Sequence, residues 1–75
     1  MIKYKNSGKD SGIFAYEIAE SYILIQFIDG SVYKFSYLKP GRYHVENMKN
    51  LAKSGEGLNS YINRNVKFDY EQKIR

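Results

Sequence analysis

The chain has 75 residues, a formal net charge of +4, no cysteine, one histidine, eight Tyr and four Phe. Disulfides and a cysteine-based zinc site are excluded, so a single small domain must hold itself by packing, with the rings supplying area to bury. No run approaches the roughly 18 apolar residues of a membrane span, and the first residues lack the apolar stretch of a signal peptide. A cytoplasmic monomer that avoids membranes is the expectation.

Charge is unevenly spread. Residues 1–12 carry three Lys and one Asp, residues 13–37 carry one Lys against three acids, and residues 38–75 carry eight Lys or Arg against four acids. A basic C-terminal half suits an anionic partner such as RNA, and it equally suits ordinary solubility charge.

In chain order, the Lys-, Ser- and Gly-rich residues 1–12 read as a flexible N-terminal arm. Phe14, Tyr16 and Ile18 alternate with Ile13, Ala15 and Glu17, the pattern of a strand with one buried face. After a short turn at Ala19-Glu20-Ser21 come two further β-type runs, joined at Asp29-Gly30. A two-residue loop there would put Lys34 and Ser36 on one face with Ile23, Ile25 and Phe27. A three-residue loop, Ile28-Asp29-Gly30 with Gly30 left-handed, instead pairs Ile25 with Tyr33 and Ile23 with Phe35. The register that collects the apolar side chains wins, because a one-residue slip exchanges the faces. The reverse face then holds Tyr22, Leu24, Gln26, Val32, Lys34 and Ser36.

From Pro40 the period changes to that of a helix, with proline at its first position and Leu38 and Tyr43 spaced as a hydrophobic staple. His44, Met48, Leu51 and Ala52 share one side, with Val45 at its edge, while Arg42, Lys49 and Lys53 gather on another. Ser54-Gly55-Glu56-Gly57 ends this helix, Gly55 serving as the left-handed cap. A shorter helix carries Leu58, Tyr61, Ile62 and Asn65 on one stripe. Val66, Phe68 and Tyr70 then read as an extended segment, and residues 71–75 as a frayed tail. The expected fold class is α+β: a three-stranded antiparallel β-meander followed by two helices packed on one face (β-β-β-α-α).

With the elements in place, Tyr16, the Phe27-Ile28-Asp29-Gly30 turn, Tyr33-Lys34-Phe35, Pro40, Gly55 and Asn59-Ser60-Tyr61-Ile62 resemble the KTSC domain family. These small domains occur at the C-terminus of some lysyl-tRNA synthetases and as stand-alone bacterial and phage proteins. The resemblance runs from about Ser11 to Phe68, giving one KTSC-like domain over residues 13–70. The chain departs from the pattern at Phe35, where the family has a second Tyr, in an extra residue before Pro40, and at Asn63, where a basic residue is usual and Arg64 follows one place later. The resemblance implies an RNA-linked context.

Each candidate site has a structural explanation beside it. Tyr33 and Phe35 offer base-stacking rings, but the register turns them toward the core. Tyr22, Leu24 and Val32, with Lys34 among them, form the reverse face and a candidate protein-partner surface. Arg42, Lys49 and Lys53 are the best phosphate footprint, joined by Lys34, Arg64 and Lys67. Glu46 lies within that stripe and is expected to pair with Arg42 and Lys49. Ser54–Gly57 lacks the Gly-Lys-Ser/Thr ending of a P-loop. His44 has neither a cysteine nor a Ser/acid spacing to act with, and the carboxylates are dispersed, so no catalytic residue, metal ligand or cofactor site is expected. Two functions follow: an RNA-binding module using Lys34, Arg42, Lys49, Lys53 and Arg64, or a protein–protein adaptor of phage or mobile-element origin.

Overall fold

In the computed structural model of the chain, which describes residues 1–7 and 12–75, the central hairpin pairs β3 (Tyr22–Phe27) with β4 (Val32–Ser36). Ile25 faces Tyr33 and Ile23 faces Phe35, the register expected from the side-chain pattern. The loop is Ile28-Asp29-Gly30, closed by Phe27 N–H to the Ser31 carbonyl at 2.8 Å, with Gly30 at φ +91°. A side chain is strained in that left-handed region, so glycine belongs there. Asp29 completes the turn by accepting from the Ser31 N–H at 2.9 Å and the Ser31 hydroxyl at 2.6 Å.

The sheet has five antiparallel strands in chain order rather than three. The additional strands come from the two ends of the chain. In β1, Ile2–Lys3 pairs with β2 (Ile13–Ile18), and at the other edge β5, Gln72–Lys73, pairs with β4. Of the expected flexible arm, residues 8–11 lie outside the described residues. The part before them is anchored: Tyr4 is buried at 2 % exposure, and its hydroxyl accepts the Leu58 N–H at 3.2 Å. The expected frayed tail is likewise paired, with the Ile74 N–H donating to the Val32 carbonyl at 2.7 Å and the Val32 N–H to the Arg75 carbonyl at 2.9 Å. Strand β2 carries a bulge between Ile13 and Ala15. The extra residue breaks the simple alternation: Ile13 joins Tyr16 inside, and Phe14 is exposed.

Helix α1 spans Arg42–Ser54 and starts after Gly41, two residues later than expected. Pro40 is taken up in a turn built on Ser36. The Ser36 N–H donates to the Lys39 carbonyl, its Oγ accepts the Leu38 and Lys39 N–H groups, and its own carbonyl accepts the Gly41 N–H. The Lys39–Pro40 peptide is cis. No Leu38–Tyr43 staple buries these side chains, since both are exposed. The buried side of α1 is centred on Val45, Met48 and Ala52, so Val45 is central rather than marginal, while His44 and Leu51 are half-buried.

Helix α2 (Leu58–Tyr61) runs directly into a π-helical turn, Ile62–Val66. That wider turn keeps Leu58, Ile62 and Val66, four residues apart, on the buried side, leaving Asn65 outside. Val66 therefore belongs to the helical layer and not to an extended segment. Both helices pack on the Ile23, Ile25 and Phe35 face of the sheet, forming one core with Tyr4, Ile13 and Tyr16. Each such side chain, fully buried, contributes about 1.5–3 kcal/mol against remaining in water. Among the described residues no helix is long and apolar enough to cross a membrane.

Candidate functional site

The cations singled out in the sequence lie on three elements: β4, α1 and the π-turn. Lys34 lies on the sheet face away from the helices, 3.8 Å from a Glu71 carboxylate oxygen and over the Tyr22 ring at 4.7 Å. Lys49, expected on the exposed stripe of α1, is buried at 7 % exposure. Its ammonium donates to the Glu20 carbonyl at 2.8 Å and to Glu46 Oε2 at 2.9 Å, and lies 5.4 Å from the centre of the Tyr37 ring. Glu46 Oε2 also accepts the Tyr37 hydroxyl at 2.6 Å, while the Arg42 guanidinium lies over the same ring at 5.2 Å. Glu46 therefore pairs with Lys49 as expected, whereas Arg42 lies over the ring. The hydrogen bond from Tyr37, followed by that from Lys49, holds the Glu46 carboxyl below its ordinary range. The same bond, with burial and the Glu46 charge, pushes the Tyr37 phenol up. This cluster is a strut between α1, the strand-connecting turn at Glu20 and the segment after β4. Lys53 and Arg64 are exposed on separate helical segments.

The candidate partner surface is also altered. Tyr22 and Leu24 are half-buried, and Val32 is only 3 % exposed, its backbone paired with Ile74 and Arg75. His44 Nδ1 meets the Tyr61 hydroxyl at 2.6 Å, and the Asn47 amide donates to that hydroxyl at 3.2 Å. This polar link ties α1 to α2. At the junction between them, Gly55 (φ +80°) caps α1, and a Cβ there would stand 2.6 Å from the Lys5 Cβ. Glycine is thus required both by conformation and by the approach of the N-terminal segment. No cluster of three or more potential metal-ligating His, Cys, Asp or Glu residues occurs among the described residues.

A concave feature lies elsewhere, where the β3–β4 loop and the π-turn flank the helix-side face of the sheet. Phe27, Tyr33 and Phe35 from the hairpin, Ile62, Asn63, Lys67 and Phe68 from the π-turn and its exit, and Tyr70 before β5 line a cleft of about 370 Å³. That is within the usual range of about 300–1,000 Å³ for ligand pockets. Its aromatic wall is a chain of edge-to-face rings: Phe27 against Tyr33 at 5.6 Å, Tyr33 against Tyr70 at 4.7 Å, and Tyr70 against Phe35 at 6.4 Å. Ile28 on one side is 71 % exposed and Phe68 on the other 80 %. Asp29 also lines the cleft; the hydrogen bonds from the Ser31 hydroxyl and N–H hold its carboxyl below the ordinary value, so it is ionised at neutral pH.

The register turned Tyr33 and Phe35 toward the core, and both are there: Phe35 at 1 % exposure, Tyr33 half-buried against it and also forming a wall of the cleft. The signal in the sequence was the run Lys67-Phe68-Asp69-Tyr70, two rings for which the helical stripe had no place. Comparison of the chain with protein-family models, with curated proteins and with solved structures finds no match.

Proposed function

We propose that this chain is a small non-enzymatic adaptor that takes an apolar side chain of a protein partner into the aromatic cleft. The observation that carries this reading is a cleft of about 370 Å³ with aromatic walls, flanked by Ile28 and Phe68 at 71 % and 80 % exposure. A buried aromatic anchor surrounded by contacts that exclude water is the usual energetic centre of a protein interface. Large exposed apolar side chains beside a pocket mark such surfaces.

The ring geometry favours a side chain over a nucleobase. Interplanar angles of 78°, 61° and 85° set ring edges against ring faces. Successive bases bind on flat, open ring faces, whereas an edge-to-face wall suits a compact aliphatic or aromatic group. The RNA reading through Lys34, Arg42, Lys49, Lys53 and Arg64 loses its central cation, because Lys49 is buried and engaged with Glu46 and the Glu20 carbonyl. Membership of the KTSC family belongs with this proposal. Its support is the order of Tyr16, the Phe27–Gly30 turn, Tyr33-Lys34-Phe35, Pro40, Gly55 and Asn59–Ile62 along the chain.

The test is selection of random dodecapeptides displayed on phage against the protein, with Phe68→Ser as counter-selection. Phe68 is exposed, so the variant is expected to stay folded. An enriched peptide family that binds the parent at least ten times more tightly than Phe68→Ser supports the adaptor. Absence of a Phe68-dependent family would overturn it, and salt-sensitive binding of a random-sequence RNA would then favour RNA.

A further inference from the structure

The cations around the cleft say what should flank the anchor. Lys67 lines the cleft, its ammonium 5.4 Å from the centre of the Phe68 ring, and Lys73 lies 5.7 Å from that of Tyr33. Arg64 borders the adjoining hollow, whose lining shares Asn63, Lys67 and Phe68 with the cleft. None of these three cations makes an ion pair among the described residues.

Each nearby acid has a partner of its own, and Asp29 also feels the charge of Lys73. Asp29 accepts two hydrogen bonds from Ser31, Asp69 lies 3.9 Å from the Lys39 ammonium, and Glu71 3.8 Å from that of Lys34. The apolar opening is therefore bordered by three cations on the π-turn and β5 and by the ionised carboxylate of Asp29 at the β3–β4 turn, with Asp69 in the adjoining hollow. Two of the cations sit against rings that line the cleft, so charge and apolar surface are presented together to whatever enters.

From this charge complementarity we infer that the partner segment is an acidic peptide: an apolar anchor residue with Asp or Glu close by in sequence. The inference rests on the adaptor reading of the cleft. The anchor fills the space between Tyr33, Ile62 and Phe68, while the flanking carboxylates meet Lys67, Arg64 and Lys73. Such exposed pairs steer association and choose between partners more than they add affinity, so the preference should weaken with salt.

The experiment reads the composition of the phage-selected dodecapeptides that depend on Phe68, and repeats the selection on Arg64→Glu/Lys67→Glu. Both substituted residues are exposed, and circular dichroism of the double variant checks its fold. The expected result is acidic residues flanking the apolar anchor for the parent, and neutral or basic flanks for the double variant. By fluorescence anisotropy, the best acidic peptide should lose at least ten-fold in affinity on the double variant. It should lose less between the two proteins at 0.5 M salt, where screening is over a few ångströms. Phe68-dependent peptides with uncharged or basic flanks, or flanks unchanged by the double variant, would overturn the acidic partner and leave the adaptor standing. Failure to obtain any Phe68-dependent peptide would overturn both.

Discussion

The ammonium of Lys49 donates to the Glu20 carbonyl and the Glu46 carboxylate, so reversing its charge would set a carboxylate against two oxygens in a site with little water. Breaking a buried pair typically costs about 3–5 kcal/mol. Because Glu46 remains 46 % exposed, Lys49→Glu is expected to cost less, about 2 kcal/mol. Lys49→Met keeps the packed stem and should lose about 1 kcal/mol. Urea denaturation measures both, and a Lys49→Glu protein within about 0.5 kcal/mol of the parent would return this side chain to the accessible surface. The helical angle placed Lys49 beside Arg42 and Lys53, and its pairing with Glu46 was legible as an i, i+3 contact. Its burial was not, because it depends on the turn at Glu20, 29 residues earlier in the chain.

The same cluster sets a pH signature. The Tyr37 hydrogen bond, then Lys49, depresses the Glu46 pKa in the folded state. Its contribution is therefore present above the ordinary carboxylate value of about 4.3 and is lost as pH falls through the lower folded value. The Tyr37 pKa is raised, so its contribution is present below the ordinary value of about 10 and is lost as pH rises through the folded value. Melting temperature measured across the pH range should show a shallower acid limb in Glu46→Gln and a shallower alkaline limb in Tyr37→Phe. Limbs parallel to those of the parent would remove this cluster from the stability account.

At the scale of elements, the hairpin was legible because alternation over Tyr22–Ser36 leaves only one register that buries Ile23, Ile25 and Phe35 together. The end strands were not, since two residues each are too few to show a period. Their partners lie far off in sequence, and residues 71–75 were themselves expected to fray. The bulge at Phe14 was hidden for a similar reason: Phe14 and Ile13 are both apolar, and only the pairing with β3 decides which one faces inward. Strand β1 and Tyr4 also close the core, the Tyr4 hydroxyl accepting a backbone N–H at the start of α2. Removing residues 1–7 deletes a fully buried ring, a loss of about 3–5 kcal/mol for large aromatic side chains. For a domain of this size, whose total stability is about 4–11 kcal/mol at 0.05–0.15 kcal/mol per residue, that is a large share. Thermal and urea unfolding of the truncated chain should show a largely unfolded protein at 37 °C; a parent-like transition would restore the loose-arm reading.

At the scale of the molecule, the helical layer covers the middle of the sheet and leaves the end nearest the β3–β4 loop open, where the π-turn exit and Tyr70 form the opposite wall. The α+β class and the two-layer arrangement followed from the change of period near Pro40. The cleft did not, because its walls come from residues 27–35 and 62–70 and exist only once both layers are packed. Its aromatic residues therefore read as core in one segment and as an extended strand in the other. The central claim is that this cleft, rather than the basic side of α1 or the outer sheet face, meets the partner. The most direct measurement is a ¹H–¹⁵N correlation spectrum of the labelled protein titrated with the best selected peptide. The account predicts that the largest shifts fall on Ile28, Tyr33, Asn63, Phe68 and Tyr70; shifts centred on Arg42–Lys53, or on Tyr22, Leu24 and Lys34, would contradict it.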